Sequence, residues 1–227
     1  MFKQIQSKLR NYDYGQGFKN ALEDFFKFPL YILTHPFKGY EDFKYEKKGK
    51  YHVAVIYILL LVITNALKVT GSGFLVSEPF VGDFSIVKTF FLVATPIVLL
   101  TIGNWSITSL FDGKGNMGEI FKVLSYAIIP LVWLGIPMTI VSNFLIQEEL
   151  AIYIAIGGLS VFLTGYLGLF GLLVVHEYGL LKTLVTILVS LIAVAVIIFI
   201  GLLILTLFQQ LSGFISQVYD EFIIRNS

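Results

Sequence analysis

Long apolar stretches without charge dominate this chain. Four of them exceed twenty residues without an Asp, Glu, Lys, Arg or His, and a fifth, of 17 residues, contains only His52 from that set. The five stretches are 51–67, 89–111, 123–147, 150–175 and 183–219. A helix needs about 20 apolar residues to cross a hydrocarbon layer about 30 Å thick, so we expect the last crossing to end near Phe208. The alternating pattern of barrel strands is missing, and the sequence therefore predicts an all-α polytopic membrane protein with five transmembrane helices.

The residues before the first crossing carry an amphipathic pattern. Apolar side chains recur at helical spacing, at Phe18, Leu22, Phe25, Phe26, Leu30 and Leu33. Aromatic residues and lysines then alternate, at Phe37, Lys38, Tyr40, Phe43, Lys44 and Tyr45. Both patterns are typical of a segment that lies in the headgroup layer. We therefore divide the chain into a cytoplasmic or interfacial N-terminal segment (1–50) and a transmembrane domain (51–227), with packing under the bundle as the open alternative for the segment.

Composition excludes a water-soluble domain. Hydrophobic residues make up 56% of the chain and charged residues 14%, whereas soluble domains carry about 25% charged residues. The chain has no cysteine, which excludes disulfides, thiolate metal sites and cysteine nucleophiles.

The basic residues are distributed unevenly along the chain. Ten of the 16 Lys and Arg precede residue 51. With a cytoplasmic N-terminus, these ten and Lys114, Lys122 and Lys182 lie inside, against three on the other side. Positive charge accumulates in cytoplasmic loops. We therefore predict a multi-pass plasma-membrane protein with a cytoplasmic N-terminus and an extracellular C-terminus, and we interpret the charge as orienting the chain rather than binding nucleic acid.

The loop at 111–116 superficially resembles a phosphate-binding loop because it contains Asp112, Gly113 and Lys114. A nucleotide-binding loop needs Gly-Lys-Ser or Gly-Lys-Thr after four intervening residues, between a strand and a helix, and the chain has neither. We interpret the loop as a tight turn in which glycines adopt positive φ.

A second loop begins with His176, Glu177 and Tyr178. A zinc-protease helix would need another histidine four residues after the first, where this chain has Leu180. His35 and His52 are predicted on the same side of the membrane, but their spacing does not support a metal site. We favour polar capping of a helix end, and regard this loop as a candidate contact surface.

Polar residues within the predicted crossings are few and uncharged. They include Thr64, Asn65, Asn104, Ser125, Ser142, Asn143, Ser160, Thr164 and Ser190. Proton relays and ion-coupled transporters place ionisable residues in the bundle, and the central portions of these crossings have none. We interpret the polar residues as interhelical hydrogen-bonding groups.

The fourth crossing places small residues along one side, at Gly157, Ser160, Thr164 and Gly168, with Gly165 and Gly171 close by. Small residues at this spacing allow two membrane helices to approach closely. The partner helix is either another helix of this chain or part of a different protein.

Several short segments together resemble the Yip1-domain membrane proteins, particularly the shorter versions of Gram-positive bacteria. They are HPFKGY at 35–40, EKKG at 46–49, NWSIT at 104–108, DGKG at 112–115, SYA at 125–127 with Pro130, SN at 142–143 with EE at 148–149, and HEY at 176–178. The resemblance implies a five-helix membrane domain with a cytoplasmic N-terminus and no catalytic residues. Eukaryotic relatives look like trafficking scaffolds that bind small GTPases, but Lys114 stands where their motif has proline. Bacterial relatives are often encoded beside carbohydrate ABC-transporter components.

These observations predict a non-enzymatic accessory or scaffold protein without cofactor or metal. Its expected partners are membrane lipids and another membrane protein, with a carbohydrate ABC-transporter permease as the particular candidate. The predicted partner-binding residues are Asn104, Trp105, Asp112, Gly113, Lys114, Gly165, Gly168, His176, Glu177 and Tyr178. The alternative is a transporter or channel for a small solute or lipid that acts by itself, suggested by Asn65, Asn104 and Asn143 and by proline-interrupted helices.

Overall fold

The computed structural model describes residue 19 and residues 22–77 and 84–226, and the regular elements in these residues are helical. A π-helical turn (Glu23–Lys27) precedes the first α-helix, and a 3₁₀ turn (Gln147–Glu149) precedes the seventh. The α-helices are α1 (Phe28–Thr34), α2 (Pro36–Tyr45), α3 (Tyr51–Gly71), α4 (Ile86–Leu110), α5 (Met117–Ala127), α6 (Ile129–Val141), α7 (Leu150–His176) and α8 (Leu180–Asn226). Phe18 of the predicted amphipathic pattern lies outside the described residues.

Five helical stretches in the described residues are long and apolar enough to cross a membrane. They are α3, α4, α5 together with α6, α7 with the turn before it, and α8. Each has at least 21 residues, which at about 1.5 Å per residue exceeds 30 Å. The prediction of an all-α protein with five membrane-spanning helices is confirmed.

The third crossing has different bounds from the predicted 123–147. It begins at Met117 and ends at Val141, so both predicted ends were six residues late. Asn116 and Glu119 form a capping box that starts the helix early. The ammonium of Lys122 donates to the Gly49 carbonyl at 3.0 Å, so a charge taken as a boundary lies inside the helix.

This crossing is broken in its middle, between α5 and α6. Ile128 has ψ near 0° (−3°) and separates the two helices. Pro130 has no N–H to donate to the carbonyl of Tyr126, and its ring would clash with that carbonyl in a continuous helix. The break therefore follows directly from the proline.

The N-terminal segment packs one of its sides against the bundle. Ile32, Tyr40 and Phe43 are almost completely buried. The Phe43 ring contacts the Tyr126 ring edge-on, with centroids 5.1 Å apart. Burial of each such side chain stabilises a fold by about 1.5–3 kcal/mol. This face of the segment therefore packs on the bundle, as the alternative prediction states. We call the side of the membrane on which the segment lies the N-terminal side.

Most hydroxyl groups within the crossings bond to their own helix, contrary to their predicted role. Thr64 donates to Leu60 at 2.8 Å and Thr164 to Ser160 at 2.9 Å, each to a carbonyl four residues earlier. Bridging bonds occur at the other end of the bundle, where Ser142 accepts from the Gly73 N–H at 2.9 Å. Asn143 there donates to the Gly71 carbonyl at 2.8 Å. These two residues attach the end of α6 to the end of α3.

The last helix packs on the bundle only through its first half. It runs antiparallel to α4, and a Cβ on Gly103 would lie 3.2 Å from the Ser190 carbonyl oxygen. From Ile198 to Arg225 every described side chain is exposed. The predicted end of the crossing near Phe208 lies within this continuous helix.

Alanine at Gly171 tests the packing of the N-terminal segment. Its Cβ would press on Val123 and lie 2.9 Å from Cζ of Tyr40, whose ring is buried and cannot swing away. Overpacking of this kind costs about 1–3 kcal/mol. We expect Gly171→Ala to lower the thermal unfolding midpoint of the detergent-solubilised protein, followed by circular dichroism.

Gly201→Ala is the matched control, because no described atom lies within 4 Å of its Cβ position. Alanine also favours a helix over glycine by about 1 kcal/mol, so this midpoint should stay or rise. Equal midpoints for the two variants would contradict the contact between Tyr40 and Gly171.

Candidate functional site

Two loops meet on the N-terminal side of the bundle, one between α4 and α5 and the other between α7 and α8. The hydroxyl of Tyr178 donates to the Phe111 carbonyl at 2.8 Å and lies 3.4 Å from the Thr108 carbonyl. Both carbonyls belong to the C-terminal end of α4. Lys182 lies over the Tyr178 ring, 4.2 Å from its centroid. Tyr178 therefore joins the two loops.

Both loops place a carboxylate residue in the left-handed backbone region. Asp112 and Glu177 each have φ of 56°. The predicted positive φ at the glycines of the first loop is wrong, since no described glycine has positive φ. Glycine is the usual residue at such a helix end because it avoids the Cβ clash. The side chain at position 177 must therefore provide interactions that offset this strain.

The Glu177 carboxylate binds three groups from two other parts of the chain. One oxygen accepts from Nζ of Lys44 at 2.8 Å and from the hydroxyl of Tyr45 at 2.9 Å. The other oxygen accepts from Nζ of Lys114 at 2.5 Å. Lys44 also donates to the Val175 carbonyl at 2.9 Å. The carboxylate thus ties α2 and the α4–α5 loop to the end of α7.

These hydrogen bonds favour the ionised carboxylate. The bond from Lys114, followed by those from Lys44 and Tyr45, lowers the pKa of Glu177 from 4.5 to about 2. The same carboxylate raises the pKa of Lys114 and of Tyr45. Solvent reaches the cluster, since the Glu177 side chain is 31% exposed, so the ion pairs are partly screened.

A buried hydrogen-bonded group lies deeper, centred on Asn104. Its side-chain Nδ2 donates to Ser190 Oγ at 3.1 Å. Its Oδ1 lies 2.9 Å from Nε2 of His176. All three side chains are at most 5% exposed. Asn104 therefore connects α4, α7 and α8 in a region where water does not compete for these bonds.

The bond directions assign the tautomer of His176. The Ser190 hydroxyl donates to the Thr186 carbonyl at 2.6 Å, so its oxygen accepts from Asn104. Oδ1 of Asn104 then accepts from His176, which requires the proton on Nε2. Nδ1 carries a lone pair, and among the described residues it has no hydrogen-bond partner.

The glycines of the first loop are explained by this imidazole. A Cβ on Gly113 would lie 2.7 Å from Nδ1 of His176, and one on Gly115 would press on the Val175 side chain and lie 3.0 Å from the same nitrogen. Side chains at either position would clash with a buried ring. The predicted capping of a helix end falls to Tyr178, at the end of α4, whereas the His176 ring fixes how closely the α4–α5 loop approaches.

A crevice of about 270 Å³ adjoins the Asn104 group within the membrane-spanning part of the bundle. It lies between α4, α5, α7 and α8. Its walls are apolar except for Asn104, Thr164 and Ser190, and Gly165 and Gly168 belong to the α7 wall. None of the described residues that line it is ionisable.

The structure thus places the predicted site residues in two adjoining regions. Asp112, Gly113, Lys114, His176, Glu177 and Tyr178 lie at the loop cluster, Gly165 and Gly168 line the crevice, and Asn104 touches both. Trp105 belongs to neither region, since its side chain is 43% exposed on another side of α4. Partner binding by these ten residues stays a prediction.

Sequence reasoning omitted Lys44, Tyr45 and Ser190 from the site. Lys44 and Glu177 are 133 positions apart, and no spacing along the chain connects them. The alternation of aromatic and basic residues around Lys44 indicated a membrane surface instead. Ser190 is the one polar residue between Thr186 and Thr206 in a long apolar stretch, which is a usable signal for an interhelical contact.

The three histidines occupy different surroundings. His35 stacks on Tyr31, and His52 lies beside the Phe25 ring, whereas His176 bonds to Asn104. Within residues 22–77 and 84–226, no three His, Asp or Glu side chains form a group that could hold a metal ion.

The pH dependence of stability tests the Glu177 cluster. A depressed pKa means that ionised Glu177 stabilises the fold above about pH 4.5, and that this contribution is lost as the pH falls towards 2. We expect Glu177→Gln to lower the thermal midpoint by a constant amount between pH 5 and 7, and the difference from the parent to shrink below pH 4.5. Glu148→Gln, a carboxylate at the other end of the bundle, is the control. A difference that did not change below pH 4.5 would contradict the ionised cluster.

A family model described as the Yip1 domain matches residues 30–204, a range that holds both loops, the Asn104 group and the crevice. Neither curated proteins nor solved structures gave a match. With five apolar spanning helices and more than half of its length matched, the chain is a multi-pass membrane protein that belongs to the Yip1 domain family.

Proposed function

We propose that this protein is a non-enzymatic accessory or scaffold subunit that binds a transmembrane helix of another membrane protein along α7. The observation that carries the proposal is the open small-residue side of this helix. A Cβ on Gly157, Gly158 or Gly165 would meet no described atom within 4 Å. Membrane helices use glycine where two backbones approach closely, yet packing within this chain does not require these three.

The crevice extends the same surface. Gly165 and Gly168 line it on α7, while Leu191 and Ser190 line it on α8. Because Gly165 also lies on the open side of α7, the crevice and the glycine surface are continuous. A helix placed along α7 would cover the glycines and insert side chains into the crevice.

The other predicted contact surfaces are already engaged within the chain. Lys114 and Glu177 bind each other, and the side of the N-terminal segment that carries Tyr40 and Phe43 is buried. A partner at those places would have to displace existing contacts. The open side of α7 requires no such displacement.

The engagement of the polar groups supports a role without chemistry. His176 bonds to Asn104, while Glu177 faces two lysines, so the neighbouring imidazole and carboxylate do not act on one another. A transporter acting alone would be expected to place ionisable groups along its path, and the described lining of the crevice has none.

The partner that we propose to test first is a carbohydrate ABC-transporter permease, a choice that rests on the family resemblance alone. In this proposal the protein resides in the plasma membrane with its N-terminus in the cytoplasm. The distribution of Lys and Arg supports that orientation, with thirteen on the N-terminal side.

Crosslinking from α7 tests the proposal. A photoreactive residue is placed at position 165 in the tagged full-length chain, and at position 201 as the control, because both are glycines with an open Cβ position. We expect a crosslinked membrane polypeptide from position 165 and not from 201. Capture of lipid alone at 165, or the same products from both positions, would contradict it.

Leucine at the same positions provides a second measurement. Gly165→Leu fills the contact surface, and a clash of about 1–3 kcal/mol predicts a loss of about 5- to 150-fold in the partner that co-purifies. Gly201→Leu should leave co-purification unchanged, and equal retention in the two variants would contradict docking along α7.

A further inference from the structure

The outward side of the N-terminal segment presents a row of apolar residues. Leu22, Phe26 and Leu30 are 40%, 58% and 51% exposed, and they follow one another at intervals of four residues. Ile32 and Pro29 lie on the buried side. One side of the segment is therefore buried against the bundle, whereas the described residues leave the other side largely exposed.

This row lies beside the spanning helices rather than below them. The hydroxyl of Tyr57 bonds to the Phe25 carbonyl. Tyr57 is six residues into α3, about 9 Å beyond its first residue along the helix axis. The Phe26 ring stacks on Trp133 of α6, with centroids 6.1 Å apart and planes 19° apart. The segment thus reaches the level of side chains well inside two membrane-spanning helices.

The surface on either side of the row faces lipid. Ile56, Leu59 and Ile63 of α3 are exposed, and α3 is one of the five spanning helices. Phe26 also shares a shallow groove with Trp133 and Ile136 of α6. The row is therefore continuous with the part of the protein that hydrocarbon solvates.

The charges near the row are paired, which lowers the free-energy cost of placing the row beside hydrocarbon. Asp24 accepts from Lys50 at 2.5 Å, and Glu23 pairs with Lys27 at 3.2 Å. Lys50 lies at the start of α3, where lipid headgroups begin. Helical hydrogen bonds satisfy the backbone, so neither charge nor backbone prevents immersion of the apolar side.

We infer that residues 22–34 form an in-plane element embedded in the leaflet on the N-terminal side, with Leu22, Phe26 and Leu30 in contact with acyl chains. Its partner is the lipid bilayer itself. Aromatic and aliphatic side chains on one side of a helix, with charged residues at its edge, are what an interfacial helix uses to bind lipid. The inference is independent of the proposed binding along α7.

The absence of cysteine from the chain makes the test direct. Phe26→Cys and Leu30→Cys are made one at a time in the full-length protein, labelled with an environment-sensitive fluorophore, and reconstituted in phosphatidylcholine–phosphatidylglycerol vesicles. Glu46→Cys is the control, since Glu46 is exposed and pairs with Lys48. Quenching by aqueous iodide is compared with quenching by a lipid spin-labelled on its acyl chain.

Labels at 26 and 30 should be quenched by the spin-labelled lipid and at least about fivefold less by iodide than the label at 46. Iodide quenching equal to that at 46 would place the row in water and overturn the inference. Protection from both quenchers would mean that protein covers the row, and would also overturn it. Circular dichroism of each variant confirms that the helical content is retained.

Discussion

The structure depends on the inability of hydrocarbon to hydrogen-bond. A polar group inside the membrane is costly unless it finds a partner in the protein, and this chain limits that cost by using few polar side chains. Most hydroxyls bond a carbonyl of their own helix, as Thr64 does. The polar side chains that bridge helices lie near the ends of the bundle. They are Asn104 at one end and Ser142 and Asn143 at the other.

The Asn104 group and the crevice are consequences of the same arrangement. Asn104 holds α4, α7 and α8 together near the N-terminal side, while the glycines of α7 farther along the helix are left uncovered. Pro130 breaks the crossing that contributes Ala127 and Ile128 to the crevice. A bundle fixed at its ends and open along one helix is the arrangement on which the proposed binding of another membrane helix rests.

The accuracy of the sequence predictions varied with the range of the interaction concerned. The number of crossings was predictable because hydrophobic length is a local property. The start of the third crossing was not, because Lys122 lies over the rings of Phe43 and Tyr51 and bonds to Gly49, contacts that no window of sequence contains. Glycines in the first loop were recognised as special, but for the wrong reason: they accommodate the His176 ring rather than a positive φ.

The sequence by itself determined that this is a helical membrane protein, and to which family it belongs. Long uncharged stretches and short motifs can both be recognised along the chain without knowledge of its contacts. Only the tertiary structure decided that Glu177 binds Lys44 and Lys114, that Asn104 joins three helices, and that Gly165 lies open while Gly171 is filled by Tyr40. The reason is physical: identical glycines on one helix differ only in what other helices bring beside them.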